Sequence, residues 1–263
     1  LEYVKAFDGV IAQHAQDPRL THEAQMNEGV VSARLGLKGW PAVAEEAIIA
    51  RDILLAEHVG SRLHICHLST AGSVEIVRWA KARGIAVTAE VTPHHLLLDE
   101  DLASSYDPIY KVNPPLRRKE DVAALREGLV DGTIDIIATD HAPHPSERKE
   151  CEWSAAGFGM VGLETALAIS SRALVDSSMM SFSALIEKIS TVPASIGRYL
   201  GHGSLKPGNF ANFALIDRKA TWKVNRSALK SKSKNTPFDG MELENLVMST
   251  YFNGIEVFSR SKG

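Results

Sequence analysis

Three apolar runs in this sequence end in side chains that can bind a metal ion or transfer a proton. The run "VIAQH" ends at His14, "LHICH" ends at His67, and "IDIIATD" ends at Asp140. Imidazole and carboxylate groups are common protein ligands of zinc. One histidine at a strand end is more often a hydrogen-bonded structural residue, but three equivalent strand ends favour a metal site.

The neighbours of these residues suit the site less well, because successive side chains of a strand point to opposite faces. If His67 points into the site, Cys66 faces away and packs into the core. His141, next to Asp140, should turn outward for the same reason. His144 lies on the loop beyond, where it is free to reach a ligand.

The elements that would carry these side chains alternate between strand and helix up to about residue 200. The strand candidates are nearly continuous in apolar residues, as strands covered on both faces are; they are 9–14, 62–68, 85–92 and 134–140. Helical patterns cover 42–60, 70–84, 118–132, 162–176, 183–190 and 192–201. Repeated strand–helix units predict an α/β fold with a parallel sheet, either doubly wound or closed into a barrel. In both, the carboxyl ends of the strands converge on one face, where active sites lie.

After Gly201 the pattern changes to that of a small β unit. The segment "GSLKPGNFANFALID" predicts a glycine-rich turn and then a strand over 213–216. The segment "LVMSTYFNGIEVFS" predicts a β-hairpin, because Asn253 and Gly254 supply the positive φ angles of a type I′ turn. We therefore divide the chain into an α/β part, residues 1–203, and a small β segment, residues 204–263.

Composition narrows the class of protein. The 263 residues, 44% of them hydrophobic, are enough to bury a large core as one domain or two. A net charge of −3 and a pI near 6.4 give no reason to expect nucleic acid or an anionic membrane as partner. No apolar run is long enough to span a membrane. Two cysteines, Cys66 and Cys151, are too few for a disulfide framework. We therefore expect the protein to lie in a reducing cytoplasm.

Longer motifs point to a known family. The segments "VTAEVTPHHLLL", "YKVNPPLR", "GTIDIIATDHAPH" and "FGMVGLETAL" follow one another in that order, and the tail reads "GSLKPGNFANFALID…NTPFDG…NGIEVF". Together they closely resemble the C-terminal part of bacterial dihydroorotases of the type with a bridging aspartate. The resemblance covers nearly the whole chain. It implies roughly the second half of an amidohydrolase-type (β/α)8 TIM barrel, with a small C-terminal β segment.

The resemblance also implies an activity and a cofactor. The implied enzyme is zinc-dependent, holds two zinc ions, and interconverts N-carbamoyl-L-aspartate and dihydroorotate in pyrimidine biosynthesis. His14 and His67 would bind the second zinc ion, and Asp140 would bind the first and act as general acid and base. Four positions fall where the family binds substrate: Asn113, His144, and the backbone groups of Phe158 and Gly159.

The sequence departs from the family in its first half. The family's His-x-His pair, its substrate-binding arginine and its bridging aspartate have no counterpart, and "HICH" is one residue too wide. The chain opens at Leu1, within an apparent helix, so we expect a C-terminal piece of a longer protein, inactive without its N-terminal barrel half. Gln16 stands where the family usually has glutamate, and we expect metal binding to survive this change.

Two other functions stay open. Dihydropyrimidinases, hydantoinases and allantoinases are cyclic-amide hydrolases on related barrels, although "NPPLR" and "DHAPH" favour dihydroorotase. The other alternative is an inactive dihydroorotase-like structural partner of aspartate transcarbamoylase, against which the presence of Asp140 argues. The expected partners are the small-molecule substrate, the N-terminal barrel half, and either a second copy in a homodimer or aspartate transcarbamoylase.

Five further polar residues have two interpretations each. His94 and His95 are predicted to cap a loop or to position the metal ligands, rather than to bind metal. Lys111 and Arg117 either attract a dianionic substrate or lie solvated on the surface. Asp17 either orients His14 or caps a helix.

Overall fold

The computed structural model describes residues 1–260. The strands in this range are β1 (Val10–Gln13), β2 (Met26–Asn27), β3 (Gly39–Trp40), β4 (Arg62–Ile65), β5 (Val87–Val91), β6 (Ile136–Ile137), β7 (Phe213–Asp217), β8 (Trp222–Lys223), β9 (Glu242–Leu243), β10 (Leu246–Phe252) and β11 (Ile255–Ser259). The α-helices in this range are α1 (Glu2–Lys5), α2 (Val30–Leu35), α3 (Val43–Val59), α4 (Ala71–Ala82), α5 (Pro93–Leu97), α6 (Lys119–Asp131), α7 (Ala166–Leu174), α8 (Phe182–Ile186) and α9 (Val192–Ile196).

A four-stranded parallel sheet forms the centre of the α/β part, in the order β1, β4, β5, β6. The register places Gln13 of β1 opposite Ile65 of β4, and Ile65 opposite Ala89 of β5. Helices connect successive strands, as parallel pairing requires. All four strands therefore end at the same face of the sheet. In the described part of the chain, β1 and β6 are the outer strands.

The hydrophobic core lies between this sheet and the helices α3, α4 and α6. Its fully buried members include Ile49, Ile53, Leu63, Ile65, Val77, Ala89, Val91, Leu125 and Leu129. Helix α3 is capped at its C-terminal end by Gly60, whose φ of 67° is strained for any residue with a Cβ. At the start of α4 the hydroxyl of Thr70 accepts a hydrogen bond from the Ser73 N–H. No helix among residues 1–260 combines the length and the apolar character needed to cross a bilayer.

The C-terminal segment forms two small antiparallel sheets. Strands β7, β10 and β11 form one, in the order β11, β10, β7, and the pair β8–β9 forms the other. The predicted hairpin is confirmed, with φ angles of 49° at Asn253 and 79° at Gly254. Residues around β8 and β9 share a core with the α/β part, through Val224, Phe238 and Leu243. The division at residue 203 stays a prediction.

Several predicted elements have different bounds in the structure. The strand predicted over 62–68 ends at Ile65, and the helix predicted over 162–176 spans Ala166–Leu174. Strand β6 spans only Ile136–Ile137, so Asp140 lies on a loop instead of ending a strand. The helices predicted over 183–190 and 192–201 form one run from Phe182 to Ile196, interrupted by a π-helical turn over Glu187–Thr191. Since Pro193 has no N–H to donate to the preceding turn, a local widening of the helix accommodates it.

A buried polar network joins β2, β3 and the loop after β4 around Arg117, which is only 1% exposed. The guanidinium donates to the Asn27 side chain (2.8 Å), the Trp40 carbonyl (2.8 Å) and the Ser69 hydroxyl (3.0 Å). Its Nη2 lies 3.8 Å from a carboxylate oxygen of Glu45, which is also buried. The surface interpretation of Arg117 is therefore wrong, while its predicted attraction of a dianionic substrate stays a prediction.

Replacement of Arg117 by methionine is expected to lower the free energy of unfolding by about 3–5 kcal/mol, because it leaves the Glu45 carboxylate buried without its cation. Urea unfolding of the two proteins measures the difference. Arg83→Met is the matched control. Arg83 pairs with Glu57 on the surface (2.8 Å), and an exposed pair contributes about 1 kcal/mol or less. Equal losses in both variants would contradict the structural role of Arg117.

Candidate active site

His14 and His67 lie together at the carboxyl ends of the adjacent strands β1 and β4. His14 follows β1 directly, and His67 lies two residues beyond Ile65. The Nδ1 atom of His14 is 3.0 Å from Nε2 of His67, and the rings meet at 72°. Two nitrogen ligands of one tetrahedral zinc ion are about 3.3 Å apart. In the structure the two nitrogens are hydrogen-bonded, and their separation is close to that of two ligands of one ion.

The surroundings of His67 favour its neutral form. The side chain is 7% exposed, and its Nδ1 atom has no hydrogen-bond partner among the described residues. Burial lowers the pKa of His67, while the charge of Asp140 opposes this shift. Since a metal ligand must be the neutral imidazole, this environment suits metal binding. His14 and His67 could thus supply two of the four ligands that a zinc ion takes.

Gln16 fixes the tautomer of His14. Its Oε1 atom lies 3.0 Å from Nε2 of His14 and accepts from the Asn113 amide at 3.1 Å. Its Nε2 atom donates to the Thr21 hydroxyl at 2.7 Å, and that hydroxyl donates to the Asp17 carbonyl. Because the Gln16 oxygen can only accept, the His14 proton lies on Nε2. The free lone pair of His14 then lies on Nδ1, which faces His67.

Gln16→Ala is expected to weaken zinc binding by about tenfold or more, because it releases the ring of His14 from its orientation. Gln16→Glu keeps the acceptor oxygens and should bind zinc at least as tightly as the parent. Competition with a chelator of known affinity measures both. Gln25→Ala is the control, since the Gln25 amide donates to the Glu23 carbonyl, away from this pair. Unchanged affinity in Gln16→Ala would contradict the orienting role.

Asp140 lies close enough to influence His67 but not in a compact ligand cluster with it. Its charge acts on the pKa of His67 and on that of Cys66. No three His, Cys, Asp or Glu side chains within residues 1–260 are grouped closely enough to hold a metal ion. Both His67 and Asp140 have left-handed backbones, with φ of 34° and 44°. Such strain is concentrated at functional sites, and the ligand role of Asp140 stays a prediction.

Cys66 does not have the character of a metal ligand. Burial, with the nearby charges of Glu90 and Asp140, raises the pKa of its thiol to about 12. A thiol binds zinc as the thiolate, so the neutral form expected here argues against Cys66 as a ligand, while its packing into the core stays a prediction.

Asn113 presents an open acceptor beside the histidine pair. Its amide nitrogen donates to Gln16, while its Oδ1 atom is buried and has no hydrogen-bond partner among the described residues. A buried acceptor without a partner is costly. An N–H group of a ligand would satisfy it, which agrees with the predicted substrate contact without testing it.

The other predicted substrate groups form one cluster on two adjoining loops. Nε2 of His144 lies 2.7 Å from the carbonyl oxygen of Phe158, to which it donates. The Gly159 N–H donates to the Lys111 carbonyl at 2.9 Å. Gly159 has a φ of 142°, and a Cβ there would approach Ala142 to 2.6 Å. Close approach of the loops thus requires glycine at 159, while the substrate roles of these groups stay predictions.

Two buried lysines fasten the loop that carries Phe158. Lys111 is 2% exposed, donates to the Trp153 carbonyl at 2.7 Å, and places its Nζ 4.6 Å from the centre of the Phe158 ring. Lys149 donates to the carbonyls of Lys111 and Gly157, and burial lowers its pKa to about 8. Lys111 is therefore not a surface residue, and its ammonium group is used within the protein.

A cleft of about 600 Å³ adjoins this loop cluster. Its walls include His144, Lys149, Lys234 and Asn235. None of His14, His67, Asn113 or Asp140 lines it. The cleft and the histidine pair are therefore different places in the structure.

Two of the remaining polar residues, His95 and Asp17, have structural partners, whereas Nε2 of His94 is buried without one among the described residues. Thr92 caps α5 by accepting from the His95 N–H, and the His95 ring bonds the Thr92 hydroxyl and the Pro114 carbonyl. Burial lowers the pKa of His95 to about 3. Asp17 accepts from the backbone and side chain of Arg19, so it does not orient His14.

Sequence reasoning gave too little weight to Gln16 and passed over Asn235. The signal for Gln16 was its departure from the glutamate usual at that position. The signal for Asn235 was its place in the "NTPFDG" motif.

Sequence comparison identifies relatives of the chain. A family model described as "Dihydro-orotase-like" matches residues 2–73. The chain is 63% identical over 255 residues to a dihydroorotase of Streptomyces coelicolor, covering 97% of this chain and 60% of that protein. It is 50% identical to a dihydroorotase of Mycobacterium tuberculosis, covering 97% and 59%. The chain thus spans about 60% of the length of these curated relatives.

Comparison with solved structures gives the same picture of partial coverage. An L-hydantoinase (dihydropyrimidinase) from Arthrobacter aurescens superposes with a TM-score of 0.90 at 31% identity, over 98% of this chain and 59% of that one. A D-hydantoinase (dihydropyrimidinase) from a Thermus species superposes with a TM-score of 0.86 at 20% identity. The second likeness concerns the fold alone.

Proposed function

The chain belongs to the dihydroorotase family, its four parallel strands are part of an amidohydrolase-type barrel, and from this premise we propose a specific activity. The protein interconverts N-carbamoyl-L-aspartate and dihydroorotate with the help of zinc, as a step of pyrimidine biosynthesis. The observation that carries the proposal is the 3.0 Å approach of His14 and His67 at neighbouring strand ends, with His14 oriented by Gln16.

In this proposal His14 and His67 would hold one zinc ion through Nδ1 and Nε2, and Asp140 would bind the other. Bound zinc would acidify a water molecule and polarise the reacting carbonyl. Asp140 takes a proton from the attacking water and delivers it to the departing ring nitrogen; in the reverse direction it takes that proton back. A carboxylate suits this role because its oxygen atoms can accept a proton from water and then donate it to a nitrogen atom.

The open Oδ1 of Asn113 would accept an N–H of the dihydroorotate ring. His144, on the loop cluster with Phe158 and Gly159, would lie toward the charged end of the substrate. These groups orient the ring so that its amide carbon meets the water near Asp140.

We further propose that this chain supplies only part of the two-zinc site. Two histidines and one carboxylate are fewer ligands than two zinc ions require. The other ligands would come from an N-terminal barrel half, which would pair with the outer strands β1 and β6 and without which the chain is inactive. The same proposal places the protein in a reducing cytoplasm, which suits the free thiols Cys66 and Cys151. It also includes association as a homodimer or with aspartate transcarbamoylase.

One observation favours a second candidate activity. The Arthrobacter aurescens L-hydantoinase superposes closely on this chain at 31% identity. Hydrolysis of hydantoins or dihydropyrimidines would use the same zinc and carboxylate chemistry, so substrate discrimination must decide between the two.

The test uses the protein at its natural full length, loaded with zinc. Turnover is measured with dihydroorotate, N-carbamoyl-L-aspartate, hydantoin and dihydrouracil, and bound zinc is counted by mass spectrometry. We expect turnover of the first pair and stoichiometric zinc. Turnover of hydantoin or dihydrouracil alone would favour the second activity, and folded protein without zinc would indicate a structural partner.

A further inference from the structure

Asn235 contacts both loops that carry the predicted substrate groups. It lies between β8 and β9 and is 5% exposed. Its Nδ2 atom donates to the carbonyls of Ala142 (3.0 Å) and Gly159 (3.2 Å). Its Oδ1 atom accepts from the His144 N–H at 3.3 Å. One side chain thus satisfies three backbone groups, two on the loop of His144 and one on the loop of Gly159.

The two loops and Asn235 form a small, strand-like assembly. The Ala142 N–H donates to the Met160 carbonyl at 2.9 Å, and an isolated parallel bridge joins His141 to Met160. The Val161 N–H donates to the backbone carbonyl of Asn235 at 3.1 Å. Asn235 therefore lies across a junction that is already ordered, and its main chain and side chain both contribute.

The segment around Asn235 is itself held in place. Phe238, three residues further on, is 2% exposed and packs with Met160 and Leu243 in a shared core. On the other side, the Lys234 ammonium donates to the Leu229 carbonyl at 2.6 Å. A side chain anchored on both sides can impose a position on its partners instead of following them.

We infer that Asn235 is a positioning residue, which sets the distance between the His144 loop and the Gly159 loop at the substrate face. This rests on the proposed function and adds to it a residue from the C-terminal segment. The primary amide is the feature that matters, because it offers two N–H donors and one acceptor. Aspartate keeps the acceptor for His144 but cannot donate to either carbonyl, and alanine loses all three bonds.

Kinetics of the full-length, zinc-loaded protein test the inference first. In Asn235→Ala and Asn235→Asp, KM for dihydroorotate should rise by about tenfold or more, while kcat falls by less than about threefold, because substrate placement and not the chemical step is disturbed. Asn225→Ala is the matched control. The exposed Asn225 side chain caps a short turn by accepting from Ser227, and its loss should leave both constants unchanged.

Hydrogen exchange of the His144 amide gives a second readout that needs no activity. We expect it to become about tenfold faster or more in Asn235→Ala, which removes the acceptor, and to stay slow in Asn235→Asp, which keeps it. Unchanged KM in both variants, or an exchange rate unaffected in Asn235→Ala, would overturn the inference. If the parent protein does not act on dihydroorotate, the proposed function fails, while the exchange contrast still decides whether Asn235 positions the loop. If the alanine variant does not fold, the aspartate variant supplies the kinetic result.

Discussion

Asp140→Asn in the full-length protein is expected to lower kcat for dihydroorotate by about 10²- to 10⁴-fold while leaving the fold intact, because an amide cannot accept the proton in the reaction. The substitution is well matched in shape. Asp140 has a φ of 44°, a left-handed conformation that asparagine also tolerates, so the loop after β6 is not strained further. Alanine at this position would confuse loss of the carboxylate with backbone strain.

The measurement is kcat at saturating dihydroorotate, together with thermal unfolding followed by circular dichroism. Asp176→Asn serves as the control, since Asp176 is an exposed residue beyond α7 and its change should leave kcat and the melting temperature as they are. Turnover close to that of the parent in Asp140→Asn would exclude Asp140 as the group that moves the proton.

The central sheet could be predicted from the sequence because its strands are covered on both faces. Leu63, Ile65, Ala89 and Val91 are all fully or almost fully buried, and such strands leave a continuous apolar run in the sequence. The bounds of β6 could not be predicted in the same way. Strand β6 ends at Ile137, although the Ala138 N–H still donates to the Val91 carbonyl at 3.1 Å, and the pattern of apolar residues does not show where the strand stops.

The histidine pair could be predicted because it depends on a local rule. His14 and His67 each follow a strand, and adjacent parallel strands end at one face. The contacts that orient the pair depend instead on distant parts of the chain. Gln16 bonds Asn113, which is 97 residues away, and Asn235 bonds His144 across 91 residues. Periodicity and spacing within a short window carry no information on such pairs.

The buried cations illustrate the same limit. Lys111 and Arg117 are charged, and charged residues are mostly exposed. Their burial follows from carbonyl groups and carboxylates that the fold brings around them, such as the Trp153 carbonyl and Glu45. The type of a residue predicts how exposed it is on average, whereas the burial of one particular cation depends on its tertiary contacts.

His67→Asn in the full-length protein is expected to weaken binding of the zinc ion shared with His14 by at least about 100-fold, since it removes one of the nitrogen ligands. Asparagine is chosen because His67 has a φ of 34°, which asparagine adopts more readily than alanine. The buried Nδ1 of His67 has no partner among the described residues, so the ring hydrogen bond that the substitution removes is the one between its Nε2 and His14. Loss of metal should therefore exceed loss of stability.

Zinc content after dialysis against a chelator, measured by mass spectrometry, reports the loss directly and does not depend on turnover. His58→Asn is the control, because His58 is exposed near the end of α3 and should not change the zinc content. Full zinc content in His67→Asn would show that the approach of the two imidazoles is a structural contact. Zinc lost from a folded His67→Asn protein but kept in His58→Asn is the result that a ligand pair requires.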